Sequence, residues 1–455
     1  MAMKPLSLET IARVTGGTLI GGDPETLITG VFRDNREIIP GGLFLCIPGS
    51  RVDGHDFCGA AYDAGAAVCM GQRELSGLAG PYILVDSTLE ALKALGKYYR
   101  GLFDIPIIGV TGSVGKTTAK EMTAAALSAK YNVFKTPANL NNEIGVPLSL
   151  LSMEEEHQAA VIEMGISDFG EMSRLADMVC PDICIMTTIG FCHLDNLGDL
   201  NGVLRAKSEV FSYMKPDAVA IVNGDDELLS GFDPGIRKLT FGLGENNDWR
   251  AENIRTDGFD GVLCDISGDG ETFSAYIPAF GSHMVLGALP AAAVGRLLGL
   301  TGDEIARGIL TYAPVGGRAN IKNTGFIRVI NDCYNANPNS TAASLASLAA
   351  ASGRRVAILG DMKELGAQSH ELHRSIGVLA GQLGIDSLIC LGEEAEYIYK
   401  GFISGGFDTE AWYFPLKEAL FSVLPSLIKR DDTVLVKASH SMGFDEVVKE
   451  LESLK

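Results

Sequence analysis

Residues 109–118 read GVTGSVGKTT, between the apolar run IPIIGV and the helix-forming stretch AKEMTAAALSAKY. A strand that turns through glycines onto a helix N-terminus makes an anion cradle. Backbone N–H groups converge there and the helix dipole favours negative charge. Gly112, Ser113, Val114, Gly115, Lys116, Thr117 and Thr118 make up the cradle. Lys116 is spaced to reach the outer phosphates of a nucleoside triphosphate, and the Thr117 hydroxyl to ligate Mg²⁺. The spacing is a variant of G-x-x-x-x-G-K-[ST]: Val110 stands at the first glycine position, and the glycines fall at 109, 112 and 115. The bland alternative is a glycine turn with an incidental lysine.

A triphosphate arrives with Mg²⁺, so hard oxygen ligands are expected. Glu163 ends the apolar run AAVIE, and in parallel sheets ligands bind outside the carboxyl ends of strands. His193 follows the run DICIMTTIG in the loop FCHLDN, at another strand end. A lone histidine is by default structural. Lys207 lies in VLRAKSEVF, a predicted helix, where a lysine is by default solvated. In a dry site beside a metal, a lysine can instead lose its proton and take up CO₂, and the carbamate is an anionic metal ligand.

A third stretch, NDCYNANPNS (331–340), links the strand-like FIRVI to the helix-like TAASLASLAAAS. Its amides can each donate and accept hydrogen bonds, and Asp332 can accept them. The bland reading is a capped strand–helix turn with Ser340 or Asn339 as N-cap.

The elements that must position these residues fall into three units. At 455 residues the chain exceeds one ordinary domain, and a prior of about 150 residues per domain gives three. Residues 1–103 read as mixed α/β. Residues 104–315 alternate buried strand, glycine turn and helix, as parallel sheets covered on both faces do. Residues 316–455 repeat a βα pattern with no G-x-G-x-x-G after the first strand, so no dinucleotide site is assigned there. The expected class is α/β with three domains.

Net charge is −20, which argues against a nucleic-acid binder or a membrane-surface binder. Nine cysteines occur singly, without C-x-x-C, as reduced thiols do in a cytosolic protein. The start lacks a secretory apolar core, and GALPAAAVGRLLGL is interrupted by Arg296. A soluble cytoplasmic protein without stable membrane insertion is expected.

Together these stretches resemble the Mur ligase family of ATP-dependent, peptide-bond-forming enzymes, across essentially the whole chain. NLNNEIGVPLSLL (139–151), YNANPNS (334–340), and LGDMKELG (359–366) with His370 and His373 after it are the more specific stretches. The resemblance implies an N-terminal domain that binds a uridine nucleotide, a central P-loop ATPase domain with ATP and metal, and a C-terminal Rossmann-like domain that closes over the site. It implies a UDP-N-acetylmuramoyl tripeptide and D-alanyl-D-alanine as substrates, joined through an acyl phosphate in peptidoglycan precursor synthesis. A monomer is expected.

Matched residue by residue, Lys116 and Thr117 are the phosphate and Mg²⁺ contacts, and Glu163 is the acidic metal ligand. His193 is the second-metal histidine, with Lys207 the carbamylated lysine; two Mg²⁺ sites are implied. Asn139 and Asn142 lie near the muramyl substrate and phosphates. Arg318 is a hinge arginine that reaches the ATP phosphates, and Asp332, Asn335 and Asn337 meet the nucleotide. The segment 34–57 resembles the uridine-nucleotide segment, with Asn35 and Arg36 as contacts. Asp34-Asn35-Arg36 replaces the usual Asp-Ser-Arg there. Three further departures are Ala138 for glycine, Gly287 for an adenine-contacting asparagine, and Lys437-Ala438-Ser439-His440 for Lys-Gly-Ser-Arg. The rivals are a family ligase that adds a single amino acid, a non-catalytic nucleotide-binding regulator resting on those departures, and an ordinary P-loop phosphotransferase.

Overall fold

The computed structural model describes residues 3–454 apart from 50, 51, 76, 78, 79 and 408. Ser50 and Arg51, inside the segment 34–57 assigned above to the uridine nucleotide, lie outside the described residues.

In the N-terminal unit, strands Val31–Phe32, Leu43–Leu45, Val68–Gly71 and Tyr82–Leu84 run parallel, and Thr18–Ile20 adds antiparallel to the last. Helix Thr88–Arg100 leads out. Its cap Ser87 accepts a hydrogen bond from Glu90 N, which satisfies one orphan donor of the first turn. Leu92, Leu95 and Tyr99 of this helix share one continuous core with Val146, Ile162 and Leu175 of the central unit. Each fully buried aliphatic side chain in such a core contributes about 1.5–3 kcal/mol, so the two units are welded by packing.

The central sheet has nine strands. Seven run parallel, in the order Val133–Lys135, Ala159–Glu163, Ile107–Thr111, Ile183–Met186, Val219–Asn223, Arg237–Gly242 and Trp249–Asp257. Strands Ile107–Thr111, Ala159–Glu163, Ile183–Met186 and Val219–Asn223 are buried at every residue, as helix-covered parallel strands must be. Strands Gly261–Gly268 and Glu271–Ile277 then extend the sheet antiparallel. This extension is absent from the sequence reading. Glu271–Ile277 alternates buried and open positions, the mark of a sheet covered on one face only, rather than a continuous apolar run.

The C-terminal sheet orders Asn320–Asn323, Arg328–Asn331, Thr433–Lys437, Arg355–Gly360, Ser387–Leu391 and Glu410–Phe414. All neighbours are parallel except the first pair. The four inner strands are consistent with the βα repeat expected over 316–455. The two edge strands are half-exposed. Among the described residues no helix is long and apolar enough to cross a membrane.

Candidate active site

The parallel register pairs Glu163 with Val110. The carboxyl ends of these two adjacent strands therefore deliver the glycine loop and Glu163 to the same place. Gly112 and Gly115 adopt φ of 139° and 83°. A Cβ on Gly112 would lie 2.0 Å from Thr187 Oγ1, so the turn requires glycine. The loop is braced by the chain after Ile183–Met186: Ser113 N donates to Thr188 O at 2.8 Å, and Ser113 Oγ donates to Gly190 O at 3.1 Å. Helix Lys116–Leu127 starts directly at the loop.

Lys116 Nζ donates to Gly112 O at 2.8 Å. Burial pushes this ammonium below its ordinary value, and Glu163 opposes the shift. Thr117 Oγ1 donates to Glu163 Oε2 at 2.9 Å, and Asn141 Nδ2 donates to Glu163 Oε1 at 2.7 Å. The Glu163 carboxylate is 1% exposed. A buried carboxylate needs compensation, and Lys120 supplies it: Nζ lies 3.6 Å from Glu163 Oε2 and donates to Thr136 O and Ala138 O at 2.9 and 3.2 Å. Sequence reasoning missed Lys120 and Asn141. The signal for Lys120 was its i, i+4 spacing from Lys116 on a helix, which places both on one face.

Lys207, expected by default to be solvated, is 1% exposed. Helix Leu200–Ser208 turns it inward beside Val203 and Ala206, which are also buried. Desolvation lowers its ammonium to about 8; a smaller effect of Cys192 opposes this and one of Lys116 adds to it. His193 is a non-glycine residue at φ 52°. Its Nδ1 lies 2.5 Å from Glu364 Oε2, and this contact holds the Glu364 carboxyl below the usual range.

The third domain completes the site. A cavity of about 560 Å³ is lined by the loop from Ser113 to Thr118, with Glu163 and His193, and faces Arg318, Asp332, Asn335 and Asn337. Arg318 stacks its guanidinium 3.9 Å from the Tyr334 ring centre. Asp332 Oδ1 accepts from Ala319 N at 3.1 Å; Oδ2 accepts from Ser344 Oγ at 2.6 Å and from Lys437 Nζ at 2.5 Å. Lys437, 3% exposed, reads in the sequence only as the start of the Lys-Ala-Ser-His stretch, with no role given to it there.

The N-cap of helix Pro338–Ala349 is Asn337, not Ser340 or Asn339. Its side chain accepts from Ser340 N, and the Ser340 hydroxyl returns a bond to complete a capping box. Proline at N1 fixes the register, because its ring suits the first helical turn. Asn339 instead reaches across the domain boundary and accepts from Phe191 N at 3.2 Å.

Not every predicted residue is gathered here. Asn142 lines the cavity, and its side chain accepts from Gly145 N at 2.8 Å at the start of helix Gly145–Leu150. Asn139 is exposed and outside the lining, where Asn141 stands instead. Asn35 and Arg36 also lie outside it; Arg36 is exposed and paired with Asp34. Gly287 packs against helix Lys116–Leu127, where a Cβ would meet Thr118 Cγ2 at 2.8 Å and Met122 Sδ at 3.0 Å. Ala138 keeps the left-handed φ (46°) that glycine would favour. His440 is exposed, with its ring 5.6 Å from that of Tyr334.

The chemistry of the donors was weighed against a divalent cation. Glu163 and Thr117 present hard oxygens, which suit Mg²⁺. Among the described residues no group of three or more His, Cys, Asp or Glu side chains could hold an ion unaided. The Thr117 and Glu163 oxygens fit Mg²⁺ where phosphate oxygens complete the set; Lys207 is not among the residues that line the cavity.

A phosphate loop on a parallel sheet, facing an arginine and an amide-rich loop from a second α/β domain, defines a P-loop nucleotide-dependent enzyme of several domains. The chain belongs to the Mur ligase family. The family models described as "Mur ligase family, catalytic domain", "Mur ligase middle domain" and "Mur ligase, glutamate ligase domain" match residues 27–100, 110–295 and 317–440. UDP-N-acetylmuramoyl-tripeptide–D-alanyl-D-alanine ligase of Bacillus subtilis is 35% identical, over 98% of each chain. The enzyme of that name from Escherichia coli is 34% identical, over 99% of each chain. The structure is similar to a crystal structure of MurF from Acinetobacter baumannii, with TM-score 0.92, 28% identity, and coverage of 99% of this chain and 100% of that one. It is also similar to MurF of Thermotoga maritima in complex with ADP, with TM-score 0.83, 28% identity, and coverage of 93% and 97%.

Proposed function

We propose that this chain is an ATP-dependent ligase that joins D-alanyl-D-alanine to a UDP-N-acetylmuramoyl tripeptide in peptidoglycan precursor synthesis. The observation that carries the reading is the single cavity in which Lys116, Thr117 and Glu163 of the central domain face Arg318 and the 332–337 loop of the third. Full-length similarity to ligases of that specificity supports the choice of substrates. Domain boundaries fall at 103/104 and 315/316.

In this reading the tripeptide carboxylate attacks the γ-phosphorus of ATP, releases ADP and forms an acyl phosphate. The amine of the dipeptide then attacks the acyl carbon, and phosphate leaves. The protein's work is positioning and neutralisation of two anions. Lys116 and Arg318 offset the charge that develops on the phosphates. Asn335, Asn337 and Asp332 hold the nucleoside; Asp332 Oδ1, with one donor already bound, keeps acceptor capacity for it. Asn142 lies on the substrate side of the cavity, with Asn139 beside it outside the lining. Asn35 and Arg36 belong to the uridine end. Thr117 and Glu163 would hold one Mg²⁺, and His193 with a carbamylated Lys207 would hold a second; ions bound there would supply electrostatic stabilisation of phosphoryl oxygens. Seating of the third domain excludes water from the acyl phosphate. One chain supplies the whole cavity, so a cytoplasmic monomer suffices.

The test is phosphate release from ATP with each substrate omitted in turn, using lysine and diaminopimelate forms of the tripeptide side by side. Release that needs both the tripeptide and D-alanyl-D-alanine is expected. Release supported equally by a single amino acid would move the assignment to another ligase of the family. No release with any pairing would favour a non-catalytic nucleotide binder.

A further inference from the structure

The motif LGDMKELG leaves a residue unassigned by the reading above. Its loop, carried by the third domain, meets the His193 loop of the central domain. Leu194 N donates to Glu364 O at 2.9 Å. His193 Nδ1 lies 2.5 Å from Glu364 Oε2. Gly366 packs on the same loop, where a Cβ would come 3.3 Å from Asp195 Oδ1.

The backbone at this junction is unusual on both sides. His193 and Glu364 are non-glycine residues at φ 52° and 65°. Left-handed residues of this kind persist only where their surroundings over-determine them, and they cluster at functional sites. The Glu364 loop is held from behind. Met362 N donates to His373 Nε2 at 2.9 Å, Lys363 N to Ser439 Oγ at 2.8 Å, and Ala395 N to Asp361 Oδ1 at 2.8 Å. His193 lines the large cavity and Glu364 does not. Nδ1 is buried and has the Glu364 carboxylate oxygen at ion-pair distance, although the alignment falls short of a formed hydrogen bond; Nε2 is the ring nitrogen left for the cavity.

We propose that Glu364 is a positioning residue. Reaching across from the third domain, it fixes the Nδ1–H tautomer of His193 and presents the Nε2 lone pair to the cavity as a metal-ligating atom. A carboxylate behind a ligating imidazole sets its tautomer and ring orientation and raises its basicity. The inference rests on the reading of His193 as a metal ligand. It adds that the orientation of this ligand is supplied by a different domain.

The experiment uses Mn²⁺ as the probe, titrated by electron paramagnetic resonance into the full chain with a non-hydrolysable ATP analogue. The native protein is compared with His193→Ala, Glu364→Ala, Glu364→Gln and the double alanine variant. Glu364→Ala is expected to weaken the second Mn²⁺ by about 10–100-fold while the first is retained. Glu364→Gln, whose amide oxygen still accepts from Nδ1–H, is expected to fall between native and alanine. In the His193→Ala background, Glu364→Ala should add no further loss. The inference is overturned if His193→Ala loses the second Mn²⁺ and both Glu364 variants bind it as the native protein does. If His193→Ala itself keeps both ions, the ligand reading fails, and the inference with it. Glu364→Gln, nearly isosteric, serves if the alanine variant does not fold.

Discussion

Lys207 is the residue where burial changes the chemistry most. A lysine at 1% exposure with its ammonium lowered to about 8 is neutral in a sizeable fraction at mildly alkaline pH, and only the neutral amine takes up CO₂. The sign of the stability effect follows from proton counts. The folded value lies below the ordinary 10.5, so between about pH 8 and 10.5 the unfolded chain binds more protons, and the contribution of this lysine to stability rises with pH. In bicarbonate-free buffer, urea unfolding should find Lys207→Met more stable than the native chain near pH 8. That advantage should shrink by about 2 kcal/mol by pH 9.5, at about 1.4 kcal/mol per pH unit. With ¹³C-bicarbonate the native protein should show a carbamate carbon resonance that Lys207→Met lacks. A pH-independent difference and no resonance would remove Lys207 from the ligand set.

Two elements carry departures from the family pattern, and the backbone explains them differently. Ala138 sits at φ 46°, where an L side chain costs about 1–2 kcal/mol, and its carbonyl accepts from the buried Lys120 at 3.2 Å. Ala138→Gly should relieve that strain less its own entropic cost, a gain of about 0.5–1 kcal/mol in a chemical-denaturation midpoint. Gly287 behaves in the opposite way. Helix Val285–Leu297 crosses helix Lys116–Leu127 so closely there that a Cβ would meet Thr118 and Met122. Gly287→Asn, the residue that the resemblance leads one to expect at this position, should therefore destabilise by about 1–3 kcal/mol through overpacking. Calorimetry of the variant checks this; an unchanged melting midpoint would mean that the helices have room to part.

At the scale of the whole molecule, the site exists only where the central and third domains meet, so nucleotide binding and domain seating must be linked. An ATP analogue at a hundred times its Kd should stabilise the chain by about 2.7 kcal/mol, read as a rise in the apparent melting midpoint. Lys116→Ala should abolish most of the rise by removing a cation at the phosphate cradle. Arg318→Ala should reduce it as well, although Arg318 lies in the third unit, 202 residues further along the chain. A full shift in Arg318→Ala would show that this arginine does not engage the nucleotide.

The sequence by itself determined whatever local chemistry encodes. The glycines of 109–115 announced a phosphate cradle because only glycine takes those turns, and continuous apolar runs announced parallel strands because both faces are covered. Glu163 was legible because a carboxylate that ends such a run lies at a strand's carboxyl end. Only the tertiary structure decided burial and partnership. Lys207 and Lys120 read as helix lysines until packing enclosed them. Glu364 met His193, and Lys437 met Asp332, across long stretches of chain. Asn337 displaced Ser340 and Asn339 as the cap. Periodicity reports which face of an element is apolar. It cannot report which distant element covers that face, and in this protein the covering element sets the charge, tautomer and reach of the residues in the site.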